Sequence, residues 1–195
     1  MAGTDRVAEV MRRVDRRHFL PRDQRRWAAD DRPLTIGHGQ TNSQPSTVAA
    51  MLRLLDVPPG SRVLDVGAGS GWTTALLARL VGPTGQVVAL ERHADLAARA
   101  AASVRASGRT PWATVGTAEP GALGVPGQVF DRVLVSASAS ALPTSLVDQV
   151  APGGRMVVPV RHTMVLVVRD PDGSVRTTEH GSYTFVPLVE DPPQG

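Results

Sequence analysis

The 195-residue chain has no cysteine, which removes disulfides, thiolate metal sites and cysteine nucleophiles together. It has no lysine either, so all 21 of its basic residues are arginine. That excludes a Schiff-base lysine and the phosphate-binding lysine of a P-loop. Aromatic residues make up only 4%. The early arginines (Arg12, Arg13, Arg16, Arg17, Arg22, Arg25 and Arg26) therefore lack the interleaved rings of a nucleic-acid surface. At a net charge of +3 they read as a solvated helical face, and no nucleic-acid partner is expected. Charges or glycines interrupt every apolar run before the roughly 20 residues that span a bilayer. The opening MAGTDRVAEVMRRVDRR lacks the apolar core of a signal peptide, so a cytoplasmic location is expected, without a membrane partner. Chemistry is left to hydroxyls, carboxylates, backbone amides, five histidines or a cofactor.

A hydrophobic content of 42% supports a real core, and the length suits one domain over 1–195. Within it, 1–45 reads as a helical and loop segment on the substrate side, 46–189 as the core, and 190–195 (EDPPQG) as a disordered tail. Val7, Val10, Met11 and Val14 fall at helical spacing and predict an amphipathic helix near 4–14. HFLPRDQRRWAADDRPL reads as loop, broken by Pro21 and Pro33. The polar, Gly-rich IGHGQTNSQ also reads as a loop, leading into a helix with Pro45 in its first turn and Ser43 placed to cap it.

From Arg62 the pattern alternates. RVLDV, QVVAL, WATV, DRVLVSA and GRMVVPV read as strands; WTTALLARLV, ADLAARAAASVRA and LPTSLVDQVA read as helices. That order predicts an α/β fold: a doubly wound, mostly parallel sheet with helices on both faces. HTMVLVVRD, the turn PDGS and VRTTEHGSYTFVPLV then predict a C-terminal antiparallel hairpin.

Ligands of such sheets bind at the carboxyl ends of the strands. Asp65-Val66-Gly67-Ala68-Gly69-Ser70-Gly71 lies there, between the first strand and its helix. A G-x-G-x-x-G dinucleotide fingerprint would place its third glycine where the chain has Trp72. The bulky indole argues against an NAD site, as does the lack of a catalytic Tyr-Lys or His pair. Glu91 closes the second strand, where a carboxylate accepts hydrogen bonds from both hydroxyls of a ribose.

Asp-x-Gly-x-Gly-x-Gly with an acidic strand end resembles the cofactor motifs of class I S-adenosylmethionine-dependent methyltransferases. RPLTIGHGQTNSQPSTVAAML further resembles the IGxGQTISQPxxVAxM segment of protein-L-isoaspartate O-methyltransferases. The likeness continues through VLDVGAGSGWTTALLARLVG, VVALER, FDRVLVSASASALPTSLVDQVAPGGRMVVPV and YTFVPLV, and so spans Phe19 to Val189. It implies a Rossmann-like methyltransferase fold and S-adenosyl-L-methionine as cofactor. The implied substrates are isoaspartyl residues of damaged proteins or peptides, methylated on the free α-carboxylate; neither a metal nor a strong base is needed. Ser43 matches the family's active-site serine, alone or in addition to capping the helix. Thr41, Asn42, Asp65, Gly67, Gly69, Gly71, Glu91, Arg92, Thr117 and Ala118 are the expected cofactor contacts. His38 is expected to be structural, and a monomer is expected.

The chain also departs from the family pattern. Gly116-Thr117-Ala118 stands where the family carries Gly-Asp-Gly, with Glu119 just beyond. Asn42 replaces the usual Ile, and VSASAS the usual VTAAxx. These changes keep two rivals open: a specialised aspartyl methyltransferase forming aspartimide in a peptide precursor, and a non-catalytic cofactor-binding relative. The first often carries a C-terminal extension beyond FVPL, which favours the repair reading.

Overall fold

The computed structural model describes residues 5–108 and 110–189; residue 4 of the expected first helix and the tail 190–195 lie outside them. Helix α1 (Arg6–Arg13) starts where the Asp5 carboxylate accepts the Ala8 amide, and it buries Val7 and Val10. The stretch expected as loop instead contains two 3-10 turns, Arg16–Phe19 and Arg22–Trp27. Asp15 starts the first by accepting the Arg17 amide, and Pro21 supplies the fixed φ that precedes the second.

The polar loop is in fact an antiparallel hairpin of β1 (Leu34–Gly37) and β2 (Gln40–Asn42). Its turn runs through positive φ at Gly37, His38 and Gly39, while Leu34 and Ile36 point inward with Leu20 and Leu96. Helix α2 (Pro45–Leu55) follows, with Pro45 in its first turn as expected. Ser43 does not cap it. Gln44 holds the N-cap position without a side-chain cap bond, and the Asp31 carboxylate accepts the Ser46 amide at 2.8 Å. Ser43 stands one residue too early, while Asp31 arrives from the preceding loop.

The main sheet is built from β3 (Arg62–Val66), β4 (Gln86–Glu91), β5 (Ala113–Thr117), β6 (Phe130–Val135), β7 (Val150–Val160), β8 (Thr163–Arg169) and β9 (Val175–Ser182). Their order is β5-β4-β3-β6-β7-β8-β9. The first five of these strands pair in parallel, and β8 and β9 join antiparallel, as the alternating pattern and the final turn predict. Helices α3 (Trp72–Val81) and α4 (Ala94–Ala106) make the crossovers flanking β4, and α5 (Thr144–Val147) precedes β7.

Strand alternation divides the core. Val63, Leu134 and Val157 face a thick layer with α1, α2 and α3. Leu64, Val66, Val133, Val135, Met156 and Val158 face α5 and the loop around Leu123 and Val125. The helix expected over LPTSLVDQVA shrinks to four residues: it begins only after Pro143, while Asp148 and Gln149 form a turn and Val150 and Ala151 already belong to β7. The buried Gln149 turns back to accept the Val125 amide and donate to the Leu123 carbonyl. The FVPL stretch is not a strand: it makes an isolated bridge, with Ser138 donating to the Val186 carbonyl and accepting the Leu188 amide. Among the described residues no helix is long and apolar enough to cross a membrane.

Candidate functional site

Strand order reverses between β3 and β6, and a cavity of about 650 Å³ opens there at the carboxyl ends of the strands. The glycine turn after β3 floors it. Gly67 and Gly69 line it with φ of +82° and +55°, conformations that a side chain would strain. Glu91, at the end of β4, forms one wall and is only 5% exposed. Its Oε2 accepts the Gly69 amide at 2.8 Å and its Oε1 accepts the His93 amide at 3.0 Å. Each carboxylate oxygen keeps a lone pair for a further donor. Two backbone amides thus fix the direction in which the carboxylate faces the cavity.

The hairpin forms the opposite wall through Thr41, Asn42 and Ser43. Asn42 is buried and donates from Nδ2 to Ser70 Oγ at 2.8 Å, tying the hairpin to the glycine turn. Thr41, Ser43, Ser136 and Val186 also line a second cleft of about 290 Å³, closed by Tyr183 and Phe185. Ser43 therefore stands at the junction of two spaces.

The expected contacts do not all reach the cavity. Thr41, Asn42, Gly67, Gly69, Glu91, Arg92 and Ala118 line it, as does Ser43; Asp65, Gly71 and Thr117 do not. Asp65 is fully buried; its Oδ2 accepts the Thr74 hydroxyl at 2.7 Å while Oδ1 has no partner. Burial, against the Thr74 hydrogen bond and with the Glu91 charge nearby, pushes its carboxyl up to about 7. Gly71 serves packing: a Cβ there would lie 3.0 Å from the Ala100 carbonyl and Val104 Cγ2, so α3 and α4 meet at its expense. Trp72 turns its indole toward the N-terminal segment and donates to the Val14 carbonyl at 3.3 Å. Thr117 is exposed at the end of β5, and Ala118 and Glu119 line the wall instead.

His38, in the hairpin turn, stacks on His93 with ring centroids 4.5 Å apart, and its Nε2 lies 2.8 Å from Asp95 Oδ2. This contact joins the hairpin tip to the start of α4, and both His38 and His93 also line the cavity. Sequence reasoning missed Ser70, Ser136 and the Val186–Val189 run as cavity walls. Ser70 sits inside the glycine motif and Ser136 just past a strand end at the switch point, so position was the signal that could have found both. Among the described residues no three His, Asp or Glu side chains gather as they would around a metal ion.

Residues 1–192 match the family model described as Protein-L-isoaspartate(D-aspartate) O-methyltransferase (PCMT). The chain is 44% identical over 191 residues to a Protein-L-isoaspartate O-methyltransferase of Methanopyrus kandleri, covering 95% of this chain and 84% of that one. It is 45% identical over 189 residues to the protein of the same name from Aeropyrum pernix, covering 94% and 72%. Among solved structures it is similar to a candidate protein-L-isoaspartate O-methyltransferase of Plasmodium falciparum in complex with S-adenosyl-L-homocysteine. That similarity has a TM-score of 0.80 at 28% identity, over 98% of this chain and 93% of that one.

Proposed function

The chain belongs to the protein-L-isoaspartate(D-aspartate) O-methyltransferase family, and from that premise we propose that it transfers a methyl group from S-adenosyl-L-methionine to the free α-carboxylate of isoaspartyl residues in proteins and peptides. The observation that carries this reading is the placement of Ser43, shared by a cofactor-sized cavity and a smaller cleft beside it.

The residues present fit the cofactor. The cavity lies within the range of roughly 300–1,000 Å³ usual for such ligands. Glu91, held by the Gly69 and His93 amides, keeps lone pairs for both hydroxyls of a ribose. Leu90, Ala118 and Leu123 offer apolar surface for a purine, with Glu119 and Arg92 at the same wall. Asp65 and Gly71 shape the turn from behind, without contact to the cavity. When bound, the cofactor supplies a methyl group made electrophilic by its sulfonium.

The substrate carboxylate is already ionised near neutral pH, so no side chain has to remove a proton. The protein's task is alignment and exclusion of water. The Ser43 hydroxyl donates one hydrogen bond to the carboxylate and directs its other lone pairs toward the cavity. Residues Tyr183 to Val186 close the cleft, with the Tyr183 amide donating to the His162 carbonyl and the Val186 carbonyl accepting the Ser138 amide. Once the ester leaves the site, the next backbone nitrogen displaces methanol to give a succinimide, which hydrolyses partly to ordinary aspartate. The setting proposed is the cytoplasm, and the form proposed is a monomer.

The test is incubation with methyl-labelled cofactor and matched peptides differing only in an isoaspartyl or aspartyl link. Label in the isoaspartyl peptide alone is expected. Label only in the aspartyl peptide would favour the aspartimide-forming rival, and label in neither a cofactor-binding relative without activity.

A further inference from the structure

Arg16 was expected on a solvated face, yet only 5% of it is exposed. Its Nε donates to Asn42 Oδ1 at 2.7 Å. Its Nη2 donates to the carbonyls of Arg32, Asn42 and Ser43 at 2.9, 3.1 and 2.9 Å, and its Nη1 to those of Asp30 and Ala28 at 3.0 and 3.4 Å. None of these acceptors is a carboxylate. The cation sits among carbonyl dipoles, 5.4 Å from the centre of the Trp72 ring. Burial lowers its pKa to about 10, which leaves it charged at neutral pH.

The arrangement bears directly on Ser43. The carbonyls of Asn42 and Ser43 belong to the two peptide planes that bracket the Ser43 Cα, and one guanidinium holds both. The Asn42 side chain, gripped at Oδ1, passes the constraint from Nδ2 to Ser70 in the glycine turn. Lysine cannot copy this, because a point charge on a flexible stem lacks the planar fork of five donors.

We propose that Arg16 is a positioning residue for methyl transfer, setting the direction of the Ser43 hydroxyl and, through Asn42, the place of Ser70. This rests on the functional reading above. Loss of the clamp acts on the chemical step, where a small misplacement lowers turnover steeply.

The experiment measures Arg16→Lys and Arg16→Ala with S-adenosyl-L-methionine and an isoaspartyl peptide, at a temperature where circular dichroism shows each variant folded. Arg16→Lys should lose about tenfold or more in kcat, with peptide KM changed by about threefold or less. Guanidinium ion should restore part of the turnover of Arg16→Ala, and sodium chloride at equal strength should not. A folded Arg16→Lys with the kcat of the wild type would overturn the proposal. If the Arg16 variants do not fold, Asn42→Ala tests the same relay. It should lower kcat and weaken S-adenosyl-L-homocysteine binding in calorimetry, and unchanged values for both would overturn the idea. If the wild-type chain transfers no methyl, the functional reading falls by itself. Ligand-free amide exchange over residues 34–47 then decides: faster exchange confined to that segment in Arg16→Lys, or in Asn42→Ala, supports the clamp, and unchanged exchange refutes it.

Discussion

Ser43 owes its position to neighbours more than to its own side chain. Its hydroxyl is not spent on the helix start, since Asp31 accepts the Ser46 amide there. Ser43→Ala should therefore leave the urea midpoint close to that of the wild type. A lost hydrogen bond to a charged group costs roughly 1.5–3 kcal/mol. Turnover should fall about ten- to a hundredfold, with cofactor affinity nearly intact. Unaltered turnover in steady-state assays would remove Ser43 from the chemistry. Glu91→Ala is expected to do the opposite, weakening S-adenosyl-L-homocysteine in calorimetry while the chain stays folded. Gly67, Gly69 and Glu91 were legible as cavity walls because their places depend on spacing along the chain, whereas the packing of Gly71 against α4 was not. Arg16 was not, because its acceptors lie 12 to 27 residues away and nothing local marks it as buried.

At the scale of elements, apolar runs of strand length flanked by glycine identified the parallel strands well; β3 matches RVLDV residue for residue. The β1–β2 hairpin was read as loop because its outward residues are polar and its turn contains His38 at φ +54°, a conformation that a histidine does not advertise. The helix expected over LPTSLVDQVA keeps only Thr144 to Val147, and its last two residues, Val150 and Ala151, belong to β7, where sheet pairing and not propensity decided the outcome. Two substitutions test the element contacts. Gly71→Ala forces a Cβ against α4 at a φ of +86°, and should destabilise the protein by about 2–4 kcal/mol in denaturant melts. A change near zero would mean that α3 and α4 separate freely. Asp31→Ala should lower the melting temperature more than Ser43→Ala does, since it removes the acceptor of the Ser46 amide.

For the molecule as a whole, Asp65 links stability to pH. Its carboxyl is raised from 3.8 to about 7, first by burial, so the folded chain keeps a proton that the unfolded chain has released. Where the folded state binds more protons, stability falls as pH rises. This contribution is full below about pH 4, declines toward pH 7 and then levels off, following the raised value. Asp65→Asn should gain stability relative to the wild type across that window, measured as urea midpoints at pH 4, 5.5 and 7; parallel curves would show that Asp65 does not titrate there. The central claim concerns where the methyl group lands, since the glycine turn, Glu91 and the Ser43 junction are read as one device for esterifying an isoaspartyl α-carboxylate. Mildly acidic quenching preserves a methyl ester, and fragmentation mass spectrometry of the quenched peptide locates it. The account predicts the methyl on the isoaspartyl α-carboxylate; a methyl on an ordinary aspartate side chain, or an unmodified peptide under saturating cofactor, would contradict it.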